Sequence, residues 1–126
     1  MKEVPTINPG EGVAASALQE LRELADGSGD PGQFRELIQL FLTELASGLP
    51  SMNRALAEGN TEELARLAHG LKGASASMGA TSLASLCRAL EETAKNRELH
   101  GAARELKRIE SEVYIVRETL EKETSS

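Results

Sequence analysis

The sequence predicts an all-α protein, an antiparallel four-helix bundle with a short additional N-terminal helix. Apolar residues recur at i, i+3, i+4 and i+7 along several long stretches, which is the mark of helices with one core-facing stripe. Aromatic residues are 2% of the chain and Trp is absent. A core of Leu and Ala therefore suits helix-on-helix packing better than a β-sandwich. Connections between the stretches are short, as antiparallel neighbours require, and no strand pattern or internal repeat occurs.

With 126 residues the chain is one domain in size, long enough to close a core without staples. Residues 1–12, with two prolines, two glycines and no periodicity, read as a flexible segment, 13–122 as the bundle and 123–126 as a frayed tail. The first helix spans about Val13 to Ala25, with Ala14, Leu18, Leu21 and Leu24 or Ala25 inward, until Asp26-Gly27-Ser28-Gly29 breaks it. Asp30 as N-cap and Pro31 at the first helical position start the second. Its stripe is Phe34, Leu37, Ile38, Phe41, Leu42 and Leu45, and it continues through Leu49, Met52 and Leu56 to Gly59. Pro50 removes a hydrogen bond and clashes with the carbonyl of Ala46, at a cost of about 3 kcal/mol or a kink. One long helix bent near Pro50 is the expectation, and two helices the alternative.

Asn60 caps the third helix, and Glu63 completes a weak match to a capping box. The stripe Leu64, Leu67, Ala68, Leu71, Ala74 and Met78 runs to the stop at Gly79-Ala80. A fourth helix covers roughly Thr81 to Asn96, with Leu83, Leu86, Cys87, Leu90 and Ala94 inward. Arg97 to Gly101 form a break. The last helix runs from about Ala102 to Lys122 on Leu106, Ile109, Val113, Val116 and Leu120.

Composition narrows the function. The net charge is −6, and nothing resembles a basic stripe or an aromatic stacking platform, so nucleic acid is not the partner. The single Cys87 excludes a disulfide framework and a multi-cysteine zinc site, and reads as a small core residue. With two histidines far apart and no ligand cluster, no metal site is expected. No apolar run approaches the ~20 residues a membrane span needs, and the N-terminus has no secretory signal. A cytoplasmic monomer is the expectation.

The third helix carries the chemistry. At about 100° per residue, His69 lies roughly 200° around the axis from both Leu67 and Leu71, and so faces water. Arg66, Lys72, Gly73 and Ala76 lie one or two turns away on the same side. An exposed imidazole, with an ordinary pKa of about 6.5, is largely neutral at pH 7 and already nucleophilic. It can attack phosphorus without a general base, and the product adds negative charge to the helix surface. Lys72 can offset that charge, with Arg66 a second choice. Gly70 and Gly73 each cost a helix about 1 kcal/mol against alanine. Local stability does not explain them. Steric access does: Gly73 and Ala76 let a partner's active site close over His69. That partner must bring the metal for phosphoryl transfer, because no carboxylate cluster accompanies the histidine.

The run AHGLKGASASMGA closely resembles the signature of histidine-containing phosphotransfer (HPt) domains of two-component phosphorelays. The match comprises His69, Leu71, Lys72, Gly73, Ser75, Gly79 and Ala80, and continues through Leu83, Cys87, Leu90 and Glu91. The upstream DPGQFRELIQLFL also looks like the family's helix leading into the bundle, and the resemblance covers roughly Leu18 to Leu120. It implies a phosphoacceptor at His69, a charge partner at Lys72 and an access position at Gly73, with Arg66 and Ala76 at the docking face. The implied partners are receiver domains of response regulators or hybrid histidine kinases. A receiver phospho-aspartate gives the group, another receiver aspartate takes it, the receiver supplies Mg²⁺, and the carrier needs no cofactor or kinase activity of its own. Ser75 is expected at the edge of the core face. Gly70 departs from the family, which more often has a larger residue there. Glu91 either hydrogen-bonds near the histidine across the helix pair or stands as a solvated carboxylate. His100, beside Gly101 in the expected loop, reads as a surface or capping residue. Two other readings compete: a phosphoacceptor domain of a histidine kinase system, and a docking bundle that is never phosphorylated.

Overall fold

The described residues of the computed structural model, 19, 20, 22, 23 and 32–124, form four long helices and no strand. These are α1 (Gln33–Ala57), α2 (Thr61–Ser77), α3 (Thr81–Lys95) and α4 (Leu99–Thr124). Each packs on the next, and α4 returns against α1, which closes an antiparallel bundle. The expected N-terminal segment and most of the short first helix, including Leu18, Leu21 and Leu24, lie outside the described residues. So do Asp30 and Pro31. Gln19, Glu20, Arg22 and Glu23 are helical, and Arg22 ties them to the bundle. Its guanidinium sits 4.9 Å from the centre of the Phe34 ring and donates to Glu123 at 2.7 Å.

The apolar stripes meet where the periodicity puts them. Ile38, Leu45 and Met52 from α1, Leu64 from α2, Leu83 and Leu90 from α3, and Leu106, Ile109 and Leu120 from α4 are fully buried. Burial of each such side chain is worth about 1.5–3 kcal/mol against exposure, which is what holds helices of modest intrinsic stability in place. Among the described residues no helix is long and apolar enough to cross a membrane.

Three turns with one design join the helices. After α1 the Asn60 N–H reaches back to the Ala55 carbonyl and the Gly59 N–H to Leu56. After α2 the same pair runs from Ala80 to Ser75 and from Gly79 to Ala76, and after α3 from Glu98 to Thr93 and from Arg97 to Ala94. These are Schellman closures, whose central residue must adopt the left-handed conformation. Gly59 at φ +66 and Gly79 at φ +75 do so freely. Arg97 at φ +59 does so at a cost of about 1 kcal/mol.

The turns correct several boundaries. The α2 helix stops at Ser77 and does not run to Ala80, because Met78 and Gly79 are already in the closure. The last break is Asn96–Glu98, so α4 starts at Leu99 and puts His100 in its first turn, exposed, not in a loop. Gly101 is not the breaker: a Cβ there would come within 3.1 Å of Thr93 Cγ2, so this glycine lets α4 approach α3. At the other end α4 continues to Thr124, two residues into the segment expected to fray. The α1 helix is unbroken through Pro50, which excludes the two-helix alternative. The Asn60 side chain accepts from the Glu63 N–H at 3.1 Å, but the return half of the capping box is absent, because Glu63 pairs with Arg66 and the Asn60 N–H serves the closure.

Candidate functional site

The hairpin of α2 and α3 turns at Gly79, and His69 and Glu91 lie at nearly equal distances on either side of that turn. Antiparallel packing therefore brings them level. His69 points outward, with its side chain 66% exposed. Glu91 borders the inward stripe of Cys87, Leu90 and Ala94, and its side chain is only 9% exposed. A carboxylate so placed must be paired, and three groups pair it. Lys72 Nζ donates to Oε1 at 2.9 Å, His69 Nδ1 lies 3.0 Å from Oε2, and Lys95 Nζ lies 3.2 Å from the same Oε2.

The electrostatics follow from this count. The Lys72 hydrogen bond, ahead of those from Lys95 and His69, overcomes desolvation and holds the Glu91 carboxyl down at about 2. At neutral pH Glu91 is ionised and can only accept hydrogen bonds. The His69 nitrogen that faces it must therefore carry the proton. Nδ1–H points at Glu91, and in the neutral ring the lone pair therefore lies on Nε2. One buried carboxylate thus fixes the tautomer, the ring orientation and the position of Lys72.

The other expected site residues divide. Gly73 and Ala76 are exposed beside His69, on the open side of α2. A Cβ at Gly70 or Gly73 would meet nothing within 4 Å, so no contact inside the chain requires either glycine. A cleft of about 320 Å³ between α1 and α2 runs up to Gly70, lined by Glu44, Ser47, Gly48, Leu67 and Leu71. Arg66 is not turned to the histidine. It forks onto Glu63, with Nε to Oε2 at 2.9 Å and Nη2 on Oε1, and holds that carboxyl below its ordinary range. Ser75 is fully buried, deeper than the core edge expected for it. Burial also pushes the Cys87 thiol up to about 12, so it is inert packing. Among the described residues no group of three or more His, Cys, Asp or Glu could hold a metal ion.

Glu91 and Lys95 are what sequence reasoning left undecided or missed. The available signal was a glutamate on the margin of an apolar stripe with a lysine at i+4. That spacing is common on solvated helix faces, and only the hairpin register shows that the pair faces His69.

An all-helical bundle that presents one exposed imidazole, oriented by a buried carboxylate, backed by paired cations and flanked by small residues, defines a class: small carriers whose histidine another protein must reach. The chain belongs to the Hpt domain family, whose model matches residues 36–119. It works in histidine phosphotransfer within two-component phosphorelays. It is 27% identical over 114 residues to histidine-containing phosphotransfer protein 2 of Arabidopsis thaliana, an alignment that covers 88% of this chain and 72% of that one. Histidine-containing phosphotransfer protein B from Pseudomonas aeruginosa superposes with a TM-score of 0.81 at 31% identity, over 89% of this chain and 93% of that one. The maize protein ZmHP2 shares the fold, with a TM-score of 0.79 at 23% identity over 90% and 88% of the two chains.

Proposed function

We propose that His69 is the phosphoacceptor and that the chain shuttles a phosphoryl group between receiver domains. The observation that carries this reading is the tie between Nδ1 and Glu91 on an otherwise exposed ring, which leaves Nε2 as the nitrogen free to react. Nε2 attacks the phosphorus of a receiver acyl phosphate, the N–P bond forms, and the P–O bond breaks with its electrons going to the aspartate carboxylate. The ring becomes a phospho-imidazolium with Nδ1–H still on Glu91, so no proton has to move. Transfer to the next receiver reverses the step. Lys72 balances the new charge, while Gly73 and Ala76 clear the approach of the partner.

The metal for the transfer belongs to the receiver in this reading, since Glu91 is already occupied by three donors. The chain is a carrier and not a kinase, because no phosphate-binding glycine loop occurs in it. A cytoplasmic monomer is the setting this reading supposes.

The test is incubation with a phosphorylated receiver and Mg²⁺. Acid-labile phosphate is expected on the wild type and none on His69→Gln, with no label from ATP alone. Absence of label on the wild type, or its persistence on His69→Gln, refutes the assignment.

A further inference from the structure

Glu91 has more cations than it needs. Its Oε1 is served by Lys72, which lies one turn from His69 on the same helix. Its Oε2 is served by His69 Nδ1 and by Lys95, one turn further along α3. In the unphosphorylated chain Lys72 alone would satisfy the charge. After phosphorylation it would not. The phosphoryl group brings close to two negative charges to the exposed edge of the ring. With Arg66 held by Glu63, Lys72 is the cation of the histidine's own helix that can turn to that group, within one turn of it. If it turned there with no replacement, a carboxylate only 9% exposed would be left with the ring N–H alone, whose positive charge is shared with the phosphoryl group.

We propose that Lys95 is a positioning residue that frees Lys72: it holds Glu91 while Lys72 swings from Oε1 to the phosphoryl group on His69. The inference rests on the reading of His69 as phosphoacceptor. Three observations support it. Lys95 shares the oxygen used by His69, so its contact survives the departure of Lys72 and keeps the Nδ1–H anchor in place. Its side chain is 64% exposed, so it reaches Glu91 without a buried role of its own. Charge counting agrees: one carboxylate and one doubly charged phosphoryl group are balanced by the ring cation and two lysines, whereas with one lysine a net negative charge remains.

The test uses phosphoramidate, a small donor that loads the histidine without any receiver. The His69 Nε2 lone pair forms the N–P bond as the donor's P–N bond breaks and its electrons leave with ammonia. The lifetime of the phosphoryl group is followed by ³¹P NMR in wild type, Lys72→Met, Lys95→Met and the double variant. Lys95→Met is expected to shorten it by roughly threefold, nearly as much as Lys72→Met, because both leave the phosphate without a free cation. In the double variant no further loss is expected, and Lys95→Arg is expected to restore the lifetime. In ¹³C,¹⁵N-lysine-labelled protein the Lys72 Nζ signal should move on phosphorylation in wild type and stay put in Lys95→Met, a readout that a merely structural lysine would not change. Multiplying effects in the double variant would show that Lys95 acts on the phosphate directly and overturn the proposal. So would an unchanged lifetime in Lys95→Met, or a Lys72 signal that still moves in that variant. Failure of the wild type to load at all would instead overturn the His69 assignment, and this inference with it.

Discussion

Replacing Glu91 with Gln keeps the shape of the side chain and removes its charge, and the structure sets both the size and the pH dependence of the effect. The wild-type carboxyl lies at about 2 in the folded chain, against an ordinary 4.5. That difference caps the contribution at about 3 kcal/mol. Lys72 and Lys95 keep 32% and 64% of their side chains in water, so screening cuts it to about 1–2 kcal/mol. Because the folded value is depressed, this stability is fully present above about pH 4.5 and is lost as pH falls toward 2. Denaturant melts of wild type and Glu91→Gln should therefore differ by about 1–2 kcal/mol at pH 7 and converge near pH 2. ¹⁵N NMR of the imidazole should show a single Nδ1–H tautomer in the wild type and a mixture in the variant, since an amide can face the ring with either its oxygen or its nitrogen. A stability difference that stays constant from pH 7 to pH 2, or an unchanged tautomer, would refute the argument that an ionised Glu91 organises the site.

Two further expectations are independent of that one. Gly73→Leu should stabilise the isolated chain by about 0.8 kcal/mol, since nothing occupies the space a side chain would enter. Its transfer from a phosphorylated receiver should nevertheless fall more than about tenfold while phosphoramidate loading stays near wild type. Equal losses with both donors would show that the glycine serves the histidine's chemistry and not the partner's approach. Arg97→Gly should raise stability by about 0.5 kcal/mol, the relief of left-handed strain less the entropy of a freer unfolded chain. A thermal melt should register a gain of about 2–4 °C, and a lower midpoint would show that the Arg97 side chain contributes more than its backbone costs.

Most of the architecture was legible because helix periodicity and helix stops are local properties. The stripes through Ile38, Leu64, Leu90 and Ile109 placed four helices, and Gly59 and Gly79 marked two of the three turns. The third turn was misplaced because its left-handed residue is Arg97, and the nearby glycine that suggested the break is there to let two helices touch. The outward direction of His69 was equally local, fixed by its angle from Leu67 and Leu71.

What the sequence determined by itself is therefore the helical bundle, the exposed imidazole and the small residues beside it, since each follows from spacing along a single helix. The tertiary structure alone decided which nitrogen of that imidazole is free. That depends on the hairpin register, which sets Glu91 of α3 against His69 and Lys72 of α2, and on burial, which keeps its carboxylate out of water. Arg66 and Lys72, alike as basic neighbours in the sequence, were separated the same way: one folds back onto Glu63 and the other crosses to Glu91. A carboxylate left in water would impose no order on its neighbours. Held at the rim of the core, it can be satisfied only by ordering the ring and the lysines around it.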